Sequence, residues 1–188
     1  MDSSRRDFLA LFPAASAAAL ALTHPAVPRA ASPAGGSVRG RKPPSLLAAP
    51  RFSRLDGTPI DLAGHVGQPL LVNLWATWCP PCVAELPSLQ RLRDARQAAP
   101  AGDRLEVLAL NVGQSINQVE SFLASLGSDL TLPIVLDSER HALAYWRVKV
   151  LPTTLVFDAH GSLRATVTGE RDWASAESAA TIAAALRP

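Results

Sequence analysis

The stretch LLVNLWATWCPPCVAEL, Leu70 to Leu86, decides how this chain is read. It begins as a short, nearly unbroken apolar run behind a Gly-Gln-Pro turn signal, the pattern of a buried strand. From Pro80 the period changes. Val83, Leu86, Leu89 and Leu92 recur at helical spacing, with Arg91, Arg93, Asp94 and Arg96 between them. Pro80 and Pro81 suit a first helical turn, whereas Pro87 predicts a kink or a missing hydrogen bond. At the strand-to-helix junction stand Cys79 and Cys82, the two cysteines of the 188-residue chain.

Two thiols three positions apart fit three chemistries unequally. Structural zinc takes four ligands, and His65, His141 and His160 are scattered singly, so a metal cage is short of donors. A structural staple over so small a loop removes little entropy from the unfolded chain, and the chain is long enough to build a core without one. Redox exchange explains the placement. Cys79 falls at a helix N-terminus, where free N–H groups and the helix dipole favour thiolate. Cys82, about one turn into the helix, is in reach to attack a mixed disulfide formed at an exposed Cys79.

Composition places the rest. The chain is 48% hydrophobic and 18% charged with a net charge of +2, which is globular and too weakly basic for a dedicated nucleic-acid binder. Residues 1–30 combine Arg5-Arg6 with an Ala/Leu-rich run from Phe8 to Thr23, an export signal too short to span a bilayer comfortably. Ser4-Arg5-Arg6-Asp7-Phe8-Leu9 resembles the twin-arginine motif, and no cysteine follows the run to take a lipid. Residues 31–50, rich in Pro, Gly, Ser and Arg, predict a flexible spacer, leaving one domain over 51–188.

Along that domain, Asp56-Gly57 signals a small hairpin within Arg51–Gln68. A second buried strand is predicted over Arg104–Val112, a helix capped by Ser115 and stopped by Gly127, and a short strand and short helix over residues 132–148. A hairpin turns at Asp158–Gly161, and an Ala-rich helix capped by Asp172 closes the chain. The order is βαβ, an αβ insertion near residues 117–136, then ββα: an α/β fold with a central mixed sheet and helices on both faces.

WCPPC after an apolar strand resembles the thioredoxin fold. LVNLWATWCPPCVAELPSL, with LPTTLVFDAHGSLRATVTG further on, resembles the TlpA/ResA/CcmG-like branch of exported thioredoxin-like proteins across residues 50–188. The resemblance implies a thiol–disulfide oxidoreductase with Cys79 as nucleophile and Cys82 as resolving thiol. It implies that Pro152 is a cis-proline facing the disulfide, with Leu151 and Thr153 beside it where a client segment adds as a strand. Trp78, Pro80 and Pro81 complete the docking surface. Asn73 stands where cytoplasmic thioredoxins carry a buried Asp, and Glu85, one turn beyond Cys82, is the replacement for moving its proton. Glu85 read alone is equally an exposed helical glutamate. Trp75, Trp146 and Trp173 read as packing residues, and His141 as a surface residue.

The implied role is a periplasmic or otherwise extracytoplasmic reductant of protein disulfides, serving cytochrome c maturation or copper-site thiols. Its electrons come from a membrane donor of the CcdA/DsbD type, with no small-molecule cofactor or metal. Three rivals stand against it. A DsbA-like or DsbC-like oxidant or isomerase needs a helical insertion or dimerisation domain for which the chain lacks room. A copper-delivery protein uses CxxxC with a distal His. A peroxiredoxin places its Thr three residues before the cysteine, and Thr77 is two before Cys79.

Overall fold

The computed structural model describes residues 44–127 and 130–187; the export signal and the spacer as far as residue 43 lie outside the described residues. The elements are β1 (Phe52–Arg54), β2 (Pro59–Ile60), β3 (Leu70–Trp75), α1 (Pro80–Gln97), β4 (Glu106–Val112), α2 (Ile116–Leu126), β5 (Ile134–Asp137), α3 (His141–Tyr145), β6 (Thr153–Phe157), β7 (Leu163–Thr168) and α4 (Ala176–Leu186). They build one mixed sheet in the order β2-β1-β5-β4-β3-β6-β7. The inner strands β3, β4 and β5 run parallel, while β1, β2, β6 and β7 join antiparallel.

Strand β3 is buried at every residue because both of its faces are covered. Leu71 and Trp75 face Cys82, Leu86 and Leu89 of α1, Val119 of α2 and Ile182 of α4. Leu70, Val72 and Leu74 face the opposite core, where Trp146 makes tilted ring contacts with Phe157 and Phe52 at 5.7 and 5.9 Å. A strand sealed on both sides shows no polar alternation, which is why its sequence reads as a continuous apolar run.

The small hairpin forms as its turn chemistry dictates. Gly57 takes φ +79°, and the Asp56 carboxylate accepts the Thr58 N–H at 2.9 Å. Helix α2 is bounded by a Ser115–Gln118 capping box and by Gly127 in the left-handed conformation.

Three details differ from the reading of the sequence, and a fourth narrows it. Residues 44–50, given above to the spacer, are packed onto the domain: Ser45 bridges Ser162, the Leu46 N–H donates to Gly161 O at 2.8 Å, and Leu46 is fully buried. Pro and Ser content disguised this, because a single apolar anchor carries the contact. Of the two outcomes expected at Pro87 the structure shows the milder: α1 runs on through it, and only its own N–H donation is missing. Helix α3 is confined to five residues. Helix α4 is capped by Ser175, whose Oγ accepts the Ser178 N–H at 3.2 Å, whereas Asp172 closes the preceding turn by accepting from Ala174 N–H at 3.0 Å.

Burial of Leu46 predicts that Leu46→Ala lowers unfolding free energy by about 2–4 kcal/mol. Urea titration measures it, and an unchanged midpoint would return residues 44–50 to the spacer.

Candidate active site

The dithiol sits where β3 hands over to α1, at the end of the sheet that β3 and β4 leave together. The intervening loop is held by Gln114, just past β4. Its Oε1 accepts the Thr77 N–H at 2.8 Å and its Nε2 donates to Thr77 Oγ1 at 2.7 Å. Asn111 Nδ2 donates to the same Oε1 at 3.0 Å and orients the amide. Nothing in the sequence pattern marks Gln114; only the parallel pairing of β3 with β4 brings it to this loop.

Cys79 is the N-cap of α1, and its N–H donates to Ala76 O at 3.1 Å. Cys79 and Cys82 are joined as a disulfide with their Cα atoms 5.3 Å apart. Cys82 is wholly inaccessible and Cys79 is 6% exposed, less open than a sequence-based nucleophile implies. What reaches the surface there lines a groove. Pro80 and Pro81 fill the first two helical positions, so neither supplies an N–H to the sulfur.

Glu85 is buried, at 2% exposure, on the same face of α1 as Cys82 and one turn further along. This sets aside the reading of an exposed helical glutamate. Asn73 Nδ2 on β3 donates to its Oε1, and also to Thr154 Oγ1 on β6 at 3.0 Å. The Arg171 N–H donates to its Oε2 at 3.1 Å. No cation neutralises the carboxyl among the described residues, since the Arg171 guanidinium is turned away to Thr181 and Glu177. Burial therefore pushes the carboxyl up from its ordinary 4.5 to about 7. The Arg171 N–H, the Asn73 amide and the nearby Trp173 indole pull it down, and the Glu170 charge adds a smaller push upward. The Trp173 indole N–H makes no well-formed hydrogen bond of its own. Trp173 is buried in the core at 1% exposure, the packing residue its sequence context suggests, and its backbone N–H donates to Ser88 Oγ at 3.0 Å.

Beside the disulfide lies a groove of about 400 Å³. Trp78, Cys79, Pro80, Pro81 and Leu151 line it. Trp78 is 65% exposed. The Leu151–Pro152 peptide is cis, and Pro152 O accepts the Gly169 N–H at 2.9 Å. Thr153 does not face the groove: it is buried, and its hydroxyl donates to Val150 O at 2.8 Å, bracing the turn before β6. Arg140, Leu143, Lys149 and Val150 complete the wall and were not foreseen, because they reach it from separate stretches of chain. Among the described residues no cluster of three metal-ligating side chains occurs, and no helix is long and apolar enough to cross a membrane. His65 pairs with Glu106 and His141 lies 3.1 Å from Glu139.

The AhpC/TSA family matches residues 46–166. The chain belongs to that family, on its thioredoxin-fold, TlpA/ResA/CcmG-like branch. It is 37% identical over 123 residues to thiol-disulfide oxidoreductase ResA of Geobacillus thermodenitrificans, covering 64% of this chain and 67% of that protein. Against sporulation thiol-disulfide oxidoreductase A of Bacillus subtilis it is 30% identical over 138 residues, covering 72% and 79% respectively. The fold also matches the crystal structure of a secreted Mycobacterium tuberculosis disulfide oxidoreductase homologous to E. coli DsbE. That match has a TM-score of 0.57 at 24% identity and covers 72% of this chain and 95% of the other. The architecture is thioredoxin-like, as the resemblance implies.

A carboxyl titrating near 7 when folded and near 4.5 when unfolded is protonated in the folded state over an interval in which the unfolded chain has released that proton. Its contribution to stability is full below pH 4.5 and lost as pH rises through 7, a swing of up to roughly 3 kcal/mol. Glu85→Gln removes that slope, so wild type and variant diverge between pH 5 and 8, with the variant gaining as pH rises. Parallel stability–pH curves would place the carboxyl in solvent.

Proposed function

We propose that this thiol–disulfide oxidoreductase works outside the cytoplasm as a reductant of protein disulfides. The observation that carries the reading is a buried, cation-free Glu85 on the same helical face as the resolving cysteine, behind a dithiol that reaches the surface only at a groove. In the reduced protein the Cys79 thiolate attacks one sulfur of a client disulfide. The client S–S bond breaks, its electron pair leaves on the second client sulfur, and a Cys79–client disulfide forms. Cys82 then gives its proton to Glu85 and attacks Cys79 Sγ. The Cys79–client bond breaks, the second client thiolate departs, and the Cys79–Cys82 disulfide is made. The client gains two electrons, and protons from Glu85 and water neutralise its thiolates. A membrane dithiol donor of the CcdA/DsbD class returns the electrons, so the two sulfurs carry the whole exchange.

A carboxyl near pH 7 matches the proton it must accept and later return, which is what general acid–base work near neutrality requires. The direction rests on thiolate stabilisation. A strongly stabilised thiolate makes an oxidant, and Pro80-Pro81 withholds two N–H donors from Cys79. Export is supported by the leader over residues 1–30 and by the secreted character of the Mycobacterium relative. Cytochrome c maturation and copper-site assembly are the client processes that the ResA resemblance suggests.

Cys79→Ser abolishes exchange, and Cys82→Ser accumulates mixed disulfides with clients, visible on non-reducing gels. Equilibration with dithiothreitol buffers gives a potential near thioredoxin's, about −270 mV; one near DsbA's, about −120 mV, refutes the reductant role. In reduced Glu85→Gln, loss of the neighbouring negative charge lowers the pH at which Cys82 titrates. An unshifted titration, followed by thiolate absorbance, uncouples the two groups.

A further inference from the structure

The groove beside the dithiol carries a charge pattern that its apolar floor does not require. Arg140 and Lys149 line it, and no Asp or Glu does. Both are exposed, and neither side chain has a hydrogen bond or ion pair among the described residues. Two unpaired cations over one groove leave a positive field where a client must dock.

Arg140 is also seated with care. It occupies the left-handed conformation at φ +62°, which costs a non-glycine residue of order 1 kcal/mol and persists only where the surroundings impose it. Its backbone is held by N–H donation to Asp137 O at 3.1 Å. Its side chain lies across Gly113, where an added Cβ would stand 2.3 Å from Arg140 Nε. Any side chain at position 113 would displace the guanidinium. The two acids nearest in sequence are engaged elsewhere: Glu139 Oε2 lies 3.1 Å from His141 Nε2, and the Asp137 carboxylate accepts the N–H groups of His141 and Ala142 at 2.9 and 2.7 Å.

Apolar contacts are supplied by Trp78, Leu143, Val150 and Leu151, with Trp78 and Val150 exposed by 65% and 55%. The groove is thus lined mostly by apolar side chains and carries two cations.

We propose that Arg140 and Lys149 are specificity-determining residues that select client segments in which the reactive disulfide is flanked by acidic side chains beside an apolar residue. The proposal rests on the oxidoreductase reading and names the substrate class of that same site. The apolar client residue lies against Trp78 and Val150, and its carboxylates meet the guanidinium and ammonium groups. Charge of this kind acts chiefly on encounter, so it appears in the second-order rate and fades with salt.

The test uses the full reduced chain and two synthetic peptides, each with one internal disulfide and the same Leu. One carries Asp on either side of the disulfide and the other carries Lys. Stopped-flow tryptophan fluorescence reads the second-order rate of reduction. The Asp peptide should react about tenfold faster at low salt, with the ratio approaching one near about 0.5 M NaCl. Arg140→Gly, which keeps the positive φ while deleting the guanidinium, lowers the ratio severalfold, and Lys149→Glu lowers it further. Each protein is its own control because the reading is a ratio. Equal rates on both peptides with wild type, or a preference that both variants retain, overturns the proposal while leaving the oxidoreductase reading intact. No reduction of either peptide overturns both.

Discussion

A carboxyl group enclosed without a counter-cation is the constraint on which this site depends. Glu85 accepts from an amide on β3 and from a backbone N–H in the loop ahead of α4. None of these donors bears a charge, so the carboxyl is hydrogen-bonded but not neutralised, and its proton affinity rises toward neutrality. Asn73 matters for the same reason. An aspartate there would put two carboxyls in hydrogen-bond contact, and one would have to stay protonated. An amide supplies a donor in its place and leaves a single titrating group on the resolving side of the dithiol. Ser88 reinforces the arrangement by donating to Glu85 O and accepting from the Trp173 N–H, so α1 and the segment before α4 are locked at that depth.

Around that group the fold separates two tasks. The face of β3 shared by α1, α2 and α4 encloses Cys82, and Glu85 is buried one turn further along the same helix. The end of the sheet presents Cys79 at the groove, with Trp78 and Val150 exposed beside it. The loop between strand and helix has to be precise to serve both, and Gln114 supplies that precision by engaging both backbone and hydroxyl of Thr77. Buried amides that bridge a strand end to a loop hold geometry because leaving either partner unpaired costs about 1–3 kcal/mol.

Much of this was legible in the residues. The apolar run at β3, the 3.6-residue period of α1, the Asp56-Gly57 turn and the Ser115 and Gly127 caps are local signals, and local physics produces the elements they announce. The Cys79–Cys82 spacing is of the same kind. Glu85 was only half legible: its spacing from Cys82 puts it on that cysteine's face, but whether that face was wet or dry depended on α4 and on Trp173. The spacer boundary was misjudged because composition reports polarity over a window, whereas one buried leucine is enough to anchor a segment. The Asp172 cap was displaced because an Asx turn and a helix cap look alike in sequence until backbone geometry separates them.

The sequence by itself determined the order of strands and helices, the position of the dithiol at a helix start and the withdrawal of two N–H donors by Pro80 and Pro81. These follow from side-chain periodicity and from what each residue's own backbone permits. Only the tertiary structure decided that Glu85 is dry, that Gln114 holds the dithiol loop, and that Arg140 and Lys149 face the groove with Trp78. Those facts join residues tens of positions apart, and their energies come from burial and contact, which exist only once the sheet has closed and both of its faces are covered.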